Sequence, residues 1–427
     1  MEDAHANGNW AALPSDLLSC VGALLAVPGR ICFRAVCRAW REAIPEDQAR
    51  AMPAPWVIIP RVDGCTDSFI ILSAPTMNSF RWTPPGGARA RCVGSNGSWL
   101  AIVTVVDVRN LAISLVNPLT DARVELPLVT GWRWALDTEH DLEFELDVVV
   151  RKVAFSPSPT AHDYAVAYVS HCSEAVFCTR AGTDRWLRLP ELVGGDHEGI
   201  RRELDVAYHQ GKFYYMATSG QVWVVDMAAP SPSPVPLDVL EPPFNGMVMC
   251  RSYHLAFSGD GALHVVWSRS EGDGYPPSFY LRDMAVMRFH PEASGEEKWT
   301  PARSIVGRAF LIGDRNQSMS VPVDSNGWLR PNSIYFTNIP LCDRFAIGCL
   351  GRRGLWAMDV VTGRITWPRA PSGMVERPPL ETEWMAWPRA PDEMLDKLLG
   401  LEVEVEVELD VDWAKSLWFM PCLTQPR

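Results

Sequence analysis

The sequence lacks the segments that carry a chain into or across a membrane. Its first ten residues are acidic and polar, whereas a secretory signal peptide begins with basic residues. The longest early apolar run, residues 17–27, is too short to span a bilayer, which takes about 20 residues. We therefore expect no membrane association and a cytoplasmic or nuclear location.

The cysteines lack the spacing of the common metal and redox motifs. There are 11, an odd number, and none of them forms a C-x-x-C pair, which argues against zinc-ribbon and thioredoxin-type sites. Scattered thiols of this kind are typical of the reducing cytosol or nucleus, where they stay free. The two glycosylation sequons, at residues 96–98 and 316–318, should then carry no glycan.

The chain also has fewer basic than acidic residues. Lys and Arg number 39 against 51 Asp and Glu, which gives a formal net charge of −12. An acidic chain is a poor candidate for binding the nucleic-acid backbone, so no nucleic-acid partner is expected. The 427 residues are 47% hydrophobic and 21% charged, which favours two or three folded domains over a disordered or fibrous chain.

Sequence motifs for catalysis are missing as well. There is no G-x-S-x-G nucleophile motif and no G-x-x-x-x-G-K-[ST] phosphate loop. His197-Glu198 lacks the second histidine of a zinc protease. Gly259-Asp260-Gly261 lacks the third glycine of a dinucleotide loop and is better explained as a hairpin turn. We interpret the chain as a non-enzyme, with no metal site and no cofactor.

Residues 10–50 have the periodicity of helices. Ser15 and Asp16 can cap a helix whose apolar side chains recur at helical spacing. A turn at residues 28–29 ends that helix, and a second helical stretch covers about residues 30–44. Two or three short helices cannot bury a core alone, so this segment should need a partner or pack on the next domain.

Arginines recur every four residues in the second helical stretch. Arg30, Arg34 and Arg38 would form a basic stripe on one face of a helix. The stripe could complement an acidic partner, or it could be a solvated face that keeps the helix soluble. We prefer the solvated face.

From residue 56 onward the periodicity changes to two. Short runs rich in β-branched and aromatic residues, such as 56–60, 99–106 and 221–226, are separated by turn-forming residues. The 35 prolines agree with many short elements, because proline interrupts helices and central strands. The pattern predicts antiparallel hairpins.

A triplet ending in an aromatic residue recurs through this region. Its aromatic residues are Phe155, Tyr208, Phe257 and Phe310, about 50 residues apart. A period of that length with about four short strands per unit is typical of a β-propeller blade and is kelch-like in length. The predicted fold is therefore mainly β: a β-propeller of about six blades, preceded by a small α-helical module. The six units cover about residues 56–84, 92–127, 148–190, 203–238, 251–302 and 308–368.

The C-terminal region offers strands that could close the propeller. Residues 402–412 alternate acidic with Val or Leu, which suits a strand with one buried face or a solvated acidic tail. Residues 417–421 are a second candidate, so 402–421 is the range expected to supply closing strands. Pairing the two ends of the chain would remove an open sheet edge. The Pro-rich residues 369–400 are interpreted as an insertion or linker.

The helical segment resembles an F-box. The run L-P-S-D-L-L at residues 13–18 is similar to the start of that motif, and V-C-R-A-W-R at residues 36–41 is similar to its end. The connector at residues 27–30 is shorter than usual. In that family the helices dock on a Skp-type adaptor within a cullin–RING ubiquitin ligase. The resemblance implies docking through Leu13, Pro14, Leu17, Leu18, Val21, Val36, Cys37 and Trp40.

The remainder resembles plant F-box proteins with a KIB-type β-propeller. The resemblance rests on G-R-A-F-L-I-G-D-R-N-Q-S-M-S at residues 307–320, P-N-S-I-Y-F-T at 331–337 and W-F-M-P at 418–421. It covers nearly the whole chain and departs at the acidic run 402–412. It implies two domains, with an F-box module at residues 10–50 and a β-propeller at residues 56–427.

The two resemblances together imply a non-catalytic adaptor role. The chain would be the substrate-recognition subunit of an SCF-type cullin–RING ubiquitin ligase, with the F-box on the Skp-type adaptor and the propeller on an unidentified target protein. The alternative is a propeller that binds a protein or sugar without any ligase role, its helices packing as an N-terminal cap. Six tryptophans are interpreted as blade core rather than ligand platforms: Trp82, Trp132, Trp134, Trp186, Trp223 and Trp267.

Overall fold

A computed structural model describes the chain in segments. These are residues 13–25, 33–34, 36–44, 55–60, 68–73, 79–86, 90–107, 109–130, 149–170, 175–189, 205–216, 220–240, 250–273, 278–302, 304–305, 307–313, 315–323, 329–338, 353–360, 365–366 and 417–419. The predicted linker at 369–400 and the alternating run at 402–412 lie outside these ranges.

Within these ranges the structure has two short α-helices with defined bounds, a 3-10 helix (Gly295–Lys298) and many short strands. The α-helices are α1 (Ser15–Leu24) and α2 (Arg38–Ala43). The strands are β1 (Trp56–Pro60), β2 (Phe69–Ser73), β3 (Ser79–Trp82), β4 (Ala90–Asn96), β5 (Trp99–Asp107), β6 (Asn110–Val116), β7 (Arg123–Glu125), β8 (Val129–Thr130), β9 (Lys152–Phe155), β10 (Ala165–Ser170), β11 (Ala175–Arg180), β12 (Leu187–Arg188), β13 (Asp205–His209), β14 (Lys212–Met216), β15 (Gln221–Asp226), β16 (Pro234–Val239), β17 (Cys250–Phe257), β18 (Leu263–Asp273), β19 (Ser278–Phe289), β20 (Trp299–Pro301), β21 (Arg308–Ile312), β22 (Met319–Pro322), β23 (Ser333–Asn338), β24 (Arg353–Asp359), β25 (Ile365–Thr366) and β26 (Leu417–Phe419).

The strands form six sheets, the six blades of a β-propeller. Blade 1 has the order β26-β1-β2-β3, and blade 2 has β4-β5-β6-β7 with β8 also on β6. Blades 3, 4 and 5 are β9 to β12, β13 to β16 and β17 to β20, and blade 6 has the order β22-β21-β23-β24-β25. The predicted fold class, six blades after a small helical segment, is therefore confirmed.

Alternation along each strand explains why the sheets stack around a ring. In β5, Trp99, Ala101 and Val103 pack with blade 3. Leu100 and Ile102, between them, pack with blade 1. Neighbouring side chains of a strand point to opposite faces, so an almost fully apolar strand gives its sheet two buried faces.

In blades 3, 4 and 5 the recurring triplet lies in the inner strand. In β9, Val153 and Phe155 pack against blade 2, whereas the small Ala154 between them packs toward blade 4. The same arrangement recurs in β17, where Ala256 packs toward blade 6. Inner strands of neighbouring blades approach closely, because a Cβ at Gly94 in β4 would lie 2.2 Å from the Val153 carbonyl oxygen. Small residues at these positions let the blades converge on the axis.

The first blade is completed by the C-terminal strand. β26 pairs antiparallel with β1, joining Trp56 to Phe419 and Ile58 to Leu417. Leu417 is fully buried and belongs to the apolar cluster between blades 1 and 2. Blade 1 therefore depends on a strand that follows blade 6 in the sequence.

Blade 6 departs from the regular pattern. The Phe310 triplet, in β21, does not occupy the innermost position, because β22 folds back antiparallel on β21. As a result β21 pairs in parallel with β23. β22 contacts the inner strand β17 of blade 5, so β21 and β22 form an antiparallel pair at the inner end of blade 6.

A buried ion pair links three inner strands. The ammonium of Lys152 in β9 donates to the carboxylate of Asp205 in β13, and both side chains are buried. The other carboxylate oxygen of Asp205 accepts the N–H of Leu255 in β17 at 2.6 Å. A carboxylate shared in this way has its desolvation offset by a charge and a backbone donor. The pair therefore fixes blades 3, 4 and 5 relative to one another.

The closing strand gives a test of the ring. We expect Leu417→Ala to lower the free energy of unfolding by about 2–5 kcal/mol, because it leaves a cavity between blades 1 and 2. The matched control is Leu187→Ala in β12, where the side chain is 44% exposed; its effect should stay within about 0.5 kcal/mol. Equal losses in urea unfolding would contradict closure by β26.

Two buried histidines give the fold a pH dependence. Burial lowers the pKa of His254 to about 4, and burial also lowers the pKa of His264 to about 4. Below pH ~6.5 the two histidines bind protons in the unfolded chain but not in the folded chain. The free energy of unfolding is therefore highest above that pH and falls toward pH 4. We expect a loss of ~2 kcal/mol per histidine between pH 7.5 and pH 5.

Urea unfolding at the two pH values measures this loss. The variant His264→Gln removes one of the two groups and should show a smaller difference between pH 7.5 and pH 5. A variant whose stability falls as much as that of the wild type would show that His264 does not contribute.

Candidate functional site

The helical segment has an apolar core of its own. Leu18, Phe33, Ala43 and Ile44 are buried together. Leu13, Leu25 and Trp40 pack around them, and the rings of Phe33 and Trp40 lie 4.4 Å apart. Every side chain of this cluster comes from residues 13–44, as far as the structure describes the chain. We call residues 13–44 the helical module.

A side-chain hydrogen bond and a close approach at a glycine hold the two helices of the module together. The hydroxyl of Ser19 in α1 donates to the carbonyl of Ala43 in α2 at 2.7 Å. Gly22 allows the close approach, because a Cβ there would lie 2.2 Å from Cδ1 of Ile44. α1 begins after Pro14 without a side-chain cap. The predicted cap at Ser15 is therefore not formed, because Ser15 is already the first helical residue; Asp16 in the first turn still suits the helix dipole.

The basic stripe has structural partners. Arg34 donates to the carbonyl of Arg41 at 3.0 Å and also to that of Ile44, beyond the end of α2. Arg38 forms an exposed ion pair with Glu42 at 2.7 Å. Cations near the last carbonyls of a helix stabilise its end. Arg38 is exposed, as the preferred solvated face requires, whereas Arg34 is partly buried and binds the end of α2; Arg30 lies outside the described residues.

The eight predicted docking residues fall into two groups. Leu18 is 1% exposed and contributes to the core, and Leu13, Cys37 and Trp40 are partly buried. The other four are exposed at the surface of the module: Pro14, Leu17, Val21 and Val36.

Leu17 and Val21 lie on one face of α1. They are four residues apart, and their exposed fractions are 50% and 43%. Val36, just before α2, is 59% exposed. Neighbouring exposed apolar side chains, such as Leu17 and Val21 on one face of α1, can form a protein-binding surface, whereas single exposed apolar side chains are common on folded proteins. We call Leu17, Val21 and Val36 the exposed apolar surface.

The propeller has a cavity of about 410 Å³ where the inner strands end. It is lined by the turns that follow β4, β9, β13 and β17 and by the β21–β22 hairpin. Among the described lining residues Arg308 is the charged side chain. Tyr208, His209, Phe257 and Gln317 add aromatic and polar groups, and aliphatic residues such as Val321 complete the wall. We call this cavity the channel mouth.

Sequence reasoning left the target-binding residues unknown and did not identify Arg308. The signal was present in the recurring triplet. Three of its four copies begin with an aliphatic residue, Val153, Val206 or Leu255, whereas the fourth begins with Arg308. A charged residue at the start of the triplet marks a departure from the apolar packing of the other three copies.

The tryptophans follow the structural interpretation where the structure describes them. Trp267 is 1% exposed in the interface of blades 4 and 5. Trp82, Trp186 and Trp223 pack against other blade interfaces. Their interpretation as core is confirmed. Trp132 and Trp134 lie outside the described residues.

The described residues offer no metal site and no membrane span. Within them, no three side chains of His, Cys, Asp and Glu come together in a way that could hold a metal ion. No helix of the described residues is long and apolar enough to cross a bilayer.

Three comparisons place the chain among known proteins. The F-box protein At1g10110 of Arabidopsis thaliana is 22% identical over 392 residues, which are 85% of this chain and 91% of that protein. Among solved structures, TolB from Acinetobacter baumannii has a TM-score of 0.37 at 13% identity over 79% of this chain and 68% of that one. A puromycin-hydrolyzing peptidase of Mycobacterium tuberculosis has a TM-score of 0.34 at 15% identity over 74% of this chain and 45% of that one.

The comparison with protein families is the most specific. Residues 71–359 match the family described as KIB1-4 beta-propeller. The match covers more than half of the chain and runs from blade 1 to β24 of blade 6. It confirms the resemblance that the motif at residues 307–320 had indicated. The chain belongs to the KIB1-4 β-propeller family.

Proposed function

We propose that this protein is the substrate-recognition subunit of an SCF-type cullin–RING ubiquitin ligase. The helical module, within an F-box domain at residues 10–50, binds a Skp-type adaptor, and the propeller domain at residues 56–427 binds the target protein. The observation that carries the proposal is the exposed apolar surface on a module with its own core. The F-box name of the Arabidopsis relative and the motif at residues 13–41 support it.

Different side chains of the module serve folding and docking. Leu18, Phe33, Ala43 and Ile44 stabilise the module, which leaves Leu17, Val21 and Val36 to an adaptor groove. Burying one such aliphatic side chain contributes about 1.5–3 kcal/mol. Helices that bind grooves rely on a few such anchors.

The proposed mechanism is proximity without catalysis. The propeller holds the target while the module holds the ligase, so target lysines meet the charged ubiquitin-transferring enzyme at a high effective concentration. No metal or cofactor has a part in this mechanism. Free cysteines at positions 20, 37, 92 and 178 agree with a reducing cytoplasm or nucleus.

Lysine is scarce in this chain, which suits a ligase subunit. Of the 39 Lys and Arg residues only five are lysines: Lys152, Lys212, Lys298, Lys397 and Lys415. None precedes residue 152, and Lys152 is buried in its ion pair. Ubiquitin is attached to the amine of lysine, and the guanidinium of arginine is always protonated. A receptor held beside the transferring enzyme is thereby protected from modifying itself.

The alternative function is a propeller that binds a ligand with no ligase role. The channel mouth favours it, because a cavity of about 410 Å³ with convergent polar groups is large enough for a small ligand. The two functions differ in whether the exposed apolar surface has a partner.

Adaptor capture tests the proposal directly. We expect the full chain to co-purify with a Skp-type adaptor, and the variant Leu17→Asp/Val21→Asp to bind about 100-fold more weakly or worse, because each buried carboxylate lacks a partner. Leu18 is left intact because its substitution would unfold the module.

The matched control places the same changes on the propeller. Val106 and Leu128 are 52% and 47% exposed, so Val106→Asp/Leu128→Asp should capture the adaptor as well as the wild type does. If the folded wild type captures no adaptor, the ligase role is contradicted and the propeller remains as a ligand-binding domain. Equal loss in both double variants would show that added charge, not the surface, is responsible.

Lysine scarcity predicts resistance to self-modification. In a reconstituted ligase we expect little ubiquitin on the wild-type chain and several-fold more on Arg81→Lys/Arg109→Lys/Arg185→Lys, whose substituted side chains are exposed. The readout is the ubiquitin attached to this chain per unit time. Heavy modification of the wild type would contradict the protective role of arginine.

A further inference from the structure

The channel mouth carries charge of one sign. Among its described lining residues Arg308 is positive and none is a carboxylate, whereas the whole chain has a net charge of −12. A single cation in a cavity with partly apolar walls attracts an anion and adds orientation through its planar fork of donors. The cavity is therefore suited to a ligand with one negative group.

Arg308 is held in place for such a ligand. Its Nε donates to the hydroxyl of Ser320 at 2.7 Å, and its Nη2 donates to the carbonyl of Ser320 at 2.7 Å. The side chain lies over Gly259, where a Cβ would come within 2.8 Å of Cδ of Arg308. These contacts fix the guanidinium and leave Nη1 and the second hydrogen of Nη2 as donors. A donor fixed before binding loses little conformational entropy when the ligand arrives.

The neighbouring walls can hold a peptide side chain without adding charge. The rings of His209 and Phe257 are stacked 4.1 Å apart with 4° between their planes. Burial lowers the pKa of His209, so its imidazole is neutral near pH 7. The side-chain oxygen of Gln317 accepts the N–H of Tyr208 at 3.3 Å, which leaves its NH₂ group as a second donor at the cavity wall.

We propose that the channel mouth binds a carboxylate group of a peptide, with Arg308 as its cationic partner. The carboxylate can belong to an Asp or Glu side chain or to a chain's C-terminus, and both have the same planar, singly charged geometry. The role of the channel mouth as the target site of a ligase receptor rests on the proposed function. Binding is measured without the adaptor, so the two can fail separately.

Pooled peptides test the assignment with the full chain. Three pools of random tetrapeptides are offered to the immobilised protein: one with a free C-terminus and no Asp or Glu, one amidated with a single Glu, and one amidated without acidic residues. We expect mass spectrometry to find one or both carboxylate pools retained about tenfold over the neutral pool, since a hydrogen bond to a charged group has that effect. The pool that is retained identifies the source of the carboxylate.

Variants connect the retention to Arg308. Arg308→Gln should abolish the preference, and Gly259→Ala should weaken it by displacing the guanidinium. Arg109→Gln removes an exposed arginine outside the cavity and should keep the full preference. Thermal unfolding of each variant confirms that it folds. Equal retention of all pools by the wild type, or an undiminished preference in a folded Arg308→Gln, would overturn the assignment.

Discussion

A sheet that is apolar on both faces must be covered on both sides, and this constraint organises the molecule. In β5, odd and even residues pack against different blades, so no blade of this kind is stable alone. Apolar clusters join blades 1 to 6 in succession, and the first sheet needs its fourth strand. β26 provides it by joining the first sheet, which removes a strand edge that would otherwise be open to aggregation.

The geometry of the ring also determines where polar side chains can be placed. Toward the axis the blades approach so closely that Gly94 and Ala154 are needed between them. Lys152 and Asp205 are charged side chains that are buried there, and they are tolerated because each satisfies the other while Asp205 also accepts a backbone N–H. Where the inner strands end, the turns diverge and leave the channel mouth. Arg308 lies there because the hairpin of blade 6 replaces the regular inner strand.

The fold was predictable because its determinants are local and repeated. Alternating apolar runs and a triplet about every 50 residues specify strands and blades, and the F-box-like ends of residues 13–41 specify a helical module. The sequence did not show which side chains of that module are buried. Leu17 and Leu18 are the same residue type, and only Leu18 lies on the side of α1 that faces Phe33 and Ile44. The channel mouth could not be predicted, because Tyr208, Phe257, Arg308 and Gln317 come from three blades. Their meeting depends on ring geometry and on the irregular pairing of β21.

We propose that the helical module and the propeller have separate partners. Hydrogen exchange of the full chain, followed by mass spectrometry with and without a Skp-type adaptor, tests it most directly. We expect slower exchange in residues 13–44 and unchanged exchange in the six blades. Slower exchange in the blades with an unaffected helical module, or no change anywhere at saturating adaptor, would contradict it.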